Sequence, residues 1–173
     1  MKLKTLAWTA AATVATSAAG GIATAPRSDW YLKLRKPDWQ PPAIAFPVVW
    51  TALYADLAVT SAVALDRAAE LDKAAEGPGP VGKDSGREVR DYRGALAANL
   101  FLNASWSWFF WRSRRPWLAA AEAALLAASS ADLVRRTYRL NRTAGVSLAP
   151  YAAWCGFATV LSAAIARLNP GKP

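Results

Sequence analysis

The chain has 173 residues, 54% of them apolar, with nine tryptophans and a formal net charge of +9. The absence of histidine removes the commonest metal ligand, the usual haem ligand and the usual general base. The single cysteine, Cys155, excludes an intramolecular disulfide and CxxC chemistry. Basic residues gather between apolar blocks and do not alternate with aromatic ones along a groove. This argues against nucleic-acid binding and for one small domain that crosses a membrane several times.

Five apolar blocks predict an all-α membrane bundle. The first, about residues 5–25, follows Lys2 and Lys4. It reads equally as a retained span or as a secretory signal ending at Ala23-Thr24-Ala25. The next stretch, Trp30 to Tyr54, reads WYLKLRKPDWQPPAIAFPVVWTALY. Pro37, Pro41, Pro42 and Pro47 exclude regular helix until the last of them, and Pro47 suits a first helical turn. A stiff, ring-rich lid over the mouth of the following helix is expected. The blander reading is an interfacial aromatic belt with basic anchors.

The second block, residues 43–65, places Trp50, Tyr54, Leu57 and Ser61 on one face. Asp56 within it should face the bundle or water, as an interhelical hydrogen-bond partner before a catalyst. Residues 66–93 read as a solvated polar connector with a disordered middle around Gly77–Gly82. The third block, 95–111, aligns Asn99, Asn103, Trp106 and Phe110. Two amides inside a span need partners, from other helices or from a polar ligand.

Pro116 opens a fourth helix, expected over 116–134. Its Glu122 and Asp132 are expected to make structural pairs or reach water, Glu122 by snorkelling or with a loop arginine. The fifth block, 145–167, carries Pro150, which predicts a kink near Tyr151. Trp154, Ala158 and Leu161 share a face there, and Cys155 reads as an inert buried thiol. The terminal residues 168–173 read as a plain polar tail. Five spans would put the termini on opposite sides. The lysine and arginine bias of the connectors places the N-terminus in the cytoplasm.

Four segments together resemble one family. They are W-Y-x-x-L-x-K-P-x-W-x-P-P from Trp30 to Pro42, V-W-T-x-L-Y from Val49 to Tyr54, L-x-L-N-x-x-W-S-x-F-F from Leu100 to Phe110, and P-Y-x-x-W-x-x-F-A-T-x-L from Pro150 to Leu161. They are similar, in order and spacing, to the TspO/MBR family of tryptophan-rich sensory proteins, also called translocator proteins or peripheral-type benzodiazepine receptors.

The resemblance implies five transmembrane helices around a ligand pocket capped by the first loop, commonly in a homodimer in the lipid of a bacterial cell membrane. It favours retention of the first block as a span. It implies porphyrin, as protoporphyrin or haem, or another apolar small molecule as ligand, with no required cofactor and no metal site. The implied pocket holds Trp30, Tyr31, Trp39, Pro41 and Pro42 from the lid, and Trp50 and Tyr54 from the second helix. Asn99, Asn103 and Trp106 come from the third helix and Trp154 and Ala158 from the fifth. Asn99 stands where the family usually has glutamine.

Lys33, Arg35 and Lys36 could meet the propionates of a porphyrin at the membrane surface. If porphyrin is degraded in light, Trp50 and Trp154 carry the chemistry. The expected activity is therefore a tetrapyrrole-binding sensor or regulator. The alternatives are a light- and oxygen-dependent degrading enzyme and a transporter. Two departures from the family, Ser162 for the usual asparagine and Ala163 for the tyrosine of the animal sterol motif, argue against a cholesterol role.

Overall fold

The computed structural model describes residues 1–75 and 86–170. Among them the chain is helical, in the order α1 (Leu3–Ala23), α2 (Asp29–Leu32), α3 (Ala45–Ala75), α4 (Arg87–Ser107), a π-helical turn (Trp108–Arg112), α5 (Pro116–Leu140) and α6 (Arg142–Leu168). α1, α3, α5 and α6 are each long and apolar enough to cross a membrane. α4 has the length but opens with Arg87, Glu88, Arg90, Asp91 and Arg93, which lower its apolarity.

The expected connector of residues 66–93 is largely helix. α3 continues through Ala75 and α4 begins at Arg87. The reason is local: Asp66–Ala75 is rich in alanine, leucine, glutamate and lysine, and charge alone does not end a helix. The expected disorder around Gly77–Gly82 lies outside the described residues. Two aspartates of this stretch are buried and serve as caps for other helices. The Asp66 carboxylate accepts from the Lys2 backbone N–H and, at 2.7 Å, from the Thr5 hydroxyl at the start of α1. Asp72 accepts from the Glu88 and Val89 N–H groups, both at 3.0 Å, at the start of α4. A carboxylate suits a helix N-terminus because amides there lack intrahelical partners.

α5 and α6 also exceed their expected bounds. Arg135, Arg136 and Arg139 belong to α5, and the connector shrinks to Asn141. Its extended backbone (φ −150°, ψ 113°) breaks the helix, and its side chain caps the next one by accepting from Ala144 N–H at 2.9 Å. The hairpin closes tightly enough that a Cβ on Gly145 would stand 2.4 Å from Tyr138 Cα. Pro150 lies inside α6, which runs as helix on both sides of it.

α1 buries a stripe of Thr9, Thr13, Thr16, Gly20 and Ala23. The Thr9 hydroxyl donates to Ala58 O of α3 at 2.8 Å, which packs α1 into the bundle. Glu122 makes a structural pair, as expected, but with neither a loop arginine nor solvent. It is 5% exposed, and its carboxyl is bonded to Ser105 Oγ of α4 at 2.9 Å. Asp132 is held by Arg135 and Arg136 on its own helix. Asp56 accepts from Ser147 Oγ of α6 at 2.6 Å, an interhelical bond as expected.

Candidate functional site

The segment between α1 and α3 holds the short helix α2, where the sequence suggests only irregular loop. Ser28 caps it, accepting from the Tyr31 N–H at 3.4 Å. α2 presents Trp30 and Tyr31 to the π-helical turn. Trp30 meets Phe110 edge-on at 5.7 Å, while Tyr31 lies 6.3 Å from Phe110 and 4.6 Å from Trp111. The π turn, a form recurrent at functional sites, continues directly from α4 and packs Trp106 flat on Phe110 at 5.3 Å. Trp108 faces outward and ties this turn to α1 by donating its Nε1–H to Ala19 O at 3.2 Å.

The rest of the segment is fastened at three points. The Lys36 ammonium donates to Tyr31 O at 2.8 Å and sits 4.3 Å from the Tyr31 ring centre, so it is engaged within its own segment. Lys33 and Arg35 are exposed. Leu34 is buried with Phe110, Leu161 and Ile165. The Asn169 side chain, expected in a polar tail, is buried. It accepts from Arg35 N–H at 2.9 Å and donates to Arg35 O at 2.8 Å.

Beyond Pro37 the chain carries Trp39 onto Phe157 of α6, ring centres 6.0 Å apart. Pro41 is half-buried and Pro42 exposed; Pro42 O accepts from Ala45 N–H at 2.9 Å as α3 begins. Phe157 in turn lies 5.0 Å from Trp154, and Trp154 lies 6.1 Å from Phe46 of α3. One turn further along α3, Trp50 stacks on Tyr54 at 5.4 Å and meets Tyr151 edge-on at 6.4 Å. Offset and edge-on pairs of this kind contribute beyond their buried area. Ala158 is half-buried on α6, one turn from Trp154.

Below these rings a polar chain crosses the bundle. The Tyr54 hydroxyl donates to Asn103 Oδ1. Asn103 Nδ2 donates to the Tyr151 hydroxyl at 3.0 Å, and that hydroxyl donates to Asn99 Oδ1 at 2.7 Å. Asn99 Nδ2 then reaches Ser130 Oγ at 3.0 Å and Ser129 Oγ at 3.3 Å. α3, α4, α6 and α5 are thereby joined by one line of hydrogen bonds. Asn99 is fully enclosed, so the partners of its amide come from the bundle itself.

Of the expected site residues, all but Pro41, Pro42 and Ala158 fall into three neighbouring groups. Trp30, Tyr31 and Trp106 surround Phe110, Trp39 and Trp154 flank Phe157, and Trp50, Tyr54, Asn103 and Asn99 converge on Tyr151. Phe46, Phe110, Phe157, Tyr151 and Asn169 were not among the expected site residues. Phe46 could have been found, since it stands one turn before Trp50 on the same helix face. Asn169 gives no signal in sequence. Two polar atoms among the rings, Trp106 Nε1 and Gln40 Oε1, are buried without a hydrogen-bond partner.

The sequence pattern of the TspO/MBR family matches residues 7–168. The chain is 31% identical over 145 residues to a tryptophan-rich sensory protein of Cereibacter sphaeroides, covering 84% of this chain and 80% of that one. It is 29% identical over 145 residues to the tryptophan-rich protein TspO of Chlorobaculum tepidum, covering 84% and 82%. It is 28% identical over 142 residues to the human translocator protein, covering 82% and 76%.

Proposed function

The chain belongs to the TspO/MBR family and is an integral membrane protein; from that premise we propose that it binds a tetrapyrrole among the rings of the lid end and acts as a sensor or regulator of porphyrin levels. In this reading α1, α3, α4, α5 and α6 all cross the membrane, the segment from Trp30 to Pro42 is the lid of the pocket, and the protein works as a homodimer in a bacterial cell membrane.

The observation that carries the reading is the run of rings from Trp39 through Phe157 and Trp154 to Phe46. A lid ring and two helices meet there at stacking distances. A porphyrin is a flat π-system of the size that such rings can hold while excluding water. Its polar edges would find Trp106 Nε1 as donor and Gln40 Oε1 as acceptor, both buried and unpaired. Asn103 and Asn99 hold the wall in place through Tyr151, and exposed Lys33 and Arg35 suit propionates.

A second reading, light-dependent breakdown of the bound porphyrin, is favoured by one further contact. Trp50 stacks on Tyr54, a pair of oxidisable rings on the wall of the same site, with Trp154 close by. Titration of the purified protein with protoporphyrin, in the dark and then under light with oxygen, tests both. Saturable tryptophan quenching with a stable porphyrin band identifies a binder. Band loss in light that slows in Trp50→Phe and Trp154→Phe identifies turnover. No saturable quenching ends the tetrapyrrole reading.

A further inference from the structure

Two carboxyl groups within the helices each keep one buried oxygen without a hydrogen-bond partner, Asp56 Oδ2 and Glu122 Oε2. Asp56 is half-buried, and its other oxygen has the Ser147 hydroxyl. Glu122 is more enclosed, at 5% exposed. It stands six residues into α5 from Pro116, roughly 9 Å along the helix. A side chain so placed does not reach the membrane surface. As an anion it would be costly unless a cation or several donors met it.

No cation meets it. Among the described residues Glu122 forms no ion pair. On α5 itself, the charge before it is exposed Arg115, and the next beyond it is Asp132, ten residues on and held by Arg135 and Arg136. The charged residues of α4 end at Arg93, twelve residues and roughly 18 Å before Ser105. On α6 the facing titratable group is the buried Cys155 thiol, which takes a hydrogen bond from Ser130 Oγ at 3.4 Å. The charges of that helix, Arg142 and Arg167, are at its ends. On α3 the Tyr54 hydroxyl is spent on Asn103 and Asp56 on Ser147. Arg112 of the π turn is exposed and lies over the Trp108 ring at 5.8 Å.

Counting hydrogens decides the charge. Ser105 Oγ stands 2.9 Å from two oxygens, Leu102 O of its own helix and Glu122 Oε1. A serine hydroxyl has one hydrogen and two lone pairs. Leu102 O is a carbonyl and only accepts, so it takes the serine hydrogen. The hydrogen between Ser105 and Glu122 must then belong to the carboxyl.

We infer that Glu122 is a proton-binding site inside the bundle, held at neutral pH as a carboxylic acid that donates to Ser105 Oγ while Ser105 donates to Leu102 O. This relay gives every donor an acceptor. It leaves Oε2 as a neutral carbonyl oxygen, far less costly to bury than a bare anion. It also ties α5 to α4 three residues before the π turn begins at Trp108. Loss of the proton would break the relay, because Ser105 would turn its hydrogen from Leu102 to the anion. The join between α4 and α5 thereby responds to pH.

Infrared spectra of the full chain in detergent, at neutral pH in heavy water, test the assignment. Wild type minus Glu122→Gln should show the C=O band of one carboxylic acid and no carboxylate bands. In Ser105→Ala, which removes the acceptor, that band should move to higher frequency. If Glu122→Gln does not purify, glutamate labelled with heavy carbon at the carboxyl isolates the band in the wild type, where Glu70 and Glu88 are exposed. Thermal unfolding gives a second readout. The unfolded chain releases this proton to water, so folding takes one up. The Tm of the wild type relative to Glu122→Gln should fall as pH rises above the ordinary glutamate value of about 4.3. The amide of the variant donates to Ser105 and does not ionise. Carboxylate bands in the difference spectrum, or parallel Tm profiles of the two proteins, would overturn the proposal. So would an acid band unshifted in Ser105→Ala, since the proton would then point elsewhere. No ligand takes part, so these readouts are independent of porphyrin binding.

Discussion

Asn169 grips the backbone of Arg35 on both sides of its Cα, accepting from its N–H at 2.9 Å and donating to its carbonyl at 2.8 Å. The two residues are 134 positions apart, and the asparagine is buried. The end of α6 is thereby a clasp on the segment between α2 and α3. Each hydrogen bond of this kind contributes about 1 kcal/mol net.

Asn169→Ala should loosen the segment from Trp30 to Pro42 and leave the bundle intact. Amide hydrogen exchange in that segment should quicken by roughly tenfold, the effect of losing about 1–2 kcal/mol, while exchange in α5 stays as it was. Unchanged lid protection would mean that Leu34 and the rings hold the segment without the clasp.

Tyr151→Phe separates the two roles of that residue. The hydroxyl joins Asn103 to Asn99, whereas the ring meets Trp50 at 6.4 Å. Removing the oxygen strips a donor from Asn99 Oδ1 and an acceptor from Asn103 Nδ2, both inside the bundle. A loss of about 1–3 kcal/mol is expected, read as a lower Tm in detergent. Porphyrin-dependent quenching should persist, because the ring remains. A variant as stable as the wild type would show that the polar chain reorganises around the gap.

Much of this architecture is legible in the chain itself. Prolines mark the irregular segment before α3, ring spacing marks the aromatic face of α3, and the alignment of Asn99 with Asn103 marks a polar seam inside α4. The partner of that seam, Tyr151, is hidden because a tyrosine in an apolar run looks like any other core ring. Asp66 and Asp72 mislead for a physical reason. Charge usually signals solvent, but here each carboxylate caps the start of another helix, Asp66 taking an amide and a threonine hydroxyl and Asp72 two amides, and no local pattern reports that. The reach of Asn169 across 134 positions is likewise a property of the packed bundle alone.

The glycines give a paired expectation. Gly145→Ala would force a Cβ to 2.4 Å from Tyr138 Cα, backbone that cannot swing aside, so the α5–α6 hairpin must open. Poor yield or a Tm lower by several degrees is expected. Gly94→Ala meets open space and should be neutral or stabilising by about 0.5–1 kcal/mol, the helical advantage of alanine. Similar behaviour of the two variants would contradict the close crossing at Gly145.

Phe157→Ala tests whether the rings beneath the lid act as a unit. Phe157 lies between Trp39 at 6.0 Å and Trp154 at 5.0 Å, so its removal uncouples Trp39 from α6. Two aromatic pairs are worth roughly 1–3 kcal/mol together, and protoporphyrin affinity should fall about tenfold or more. Phe101→Ala is the matched control. That ring is 72% exposed on the outer surface of α4 and should leave the titration unchanged. The comparison removes a phenyl ring in both variants, so a general effect of losing aromatic surface would lower both affinities alike. Only an effect confined to Phe157 supports binding at the junction of lid and helix. If Phe157→Ala binds as the wild type does, the tetrapyrrole is held elsewhere, and the rings around Phe110 become the next place to test.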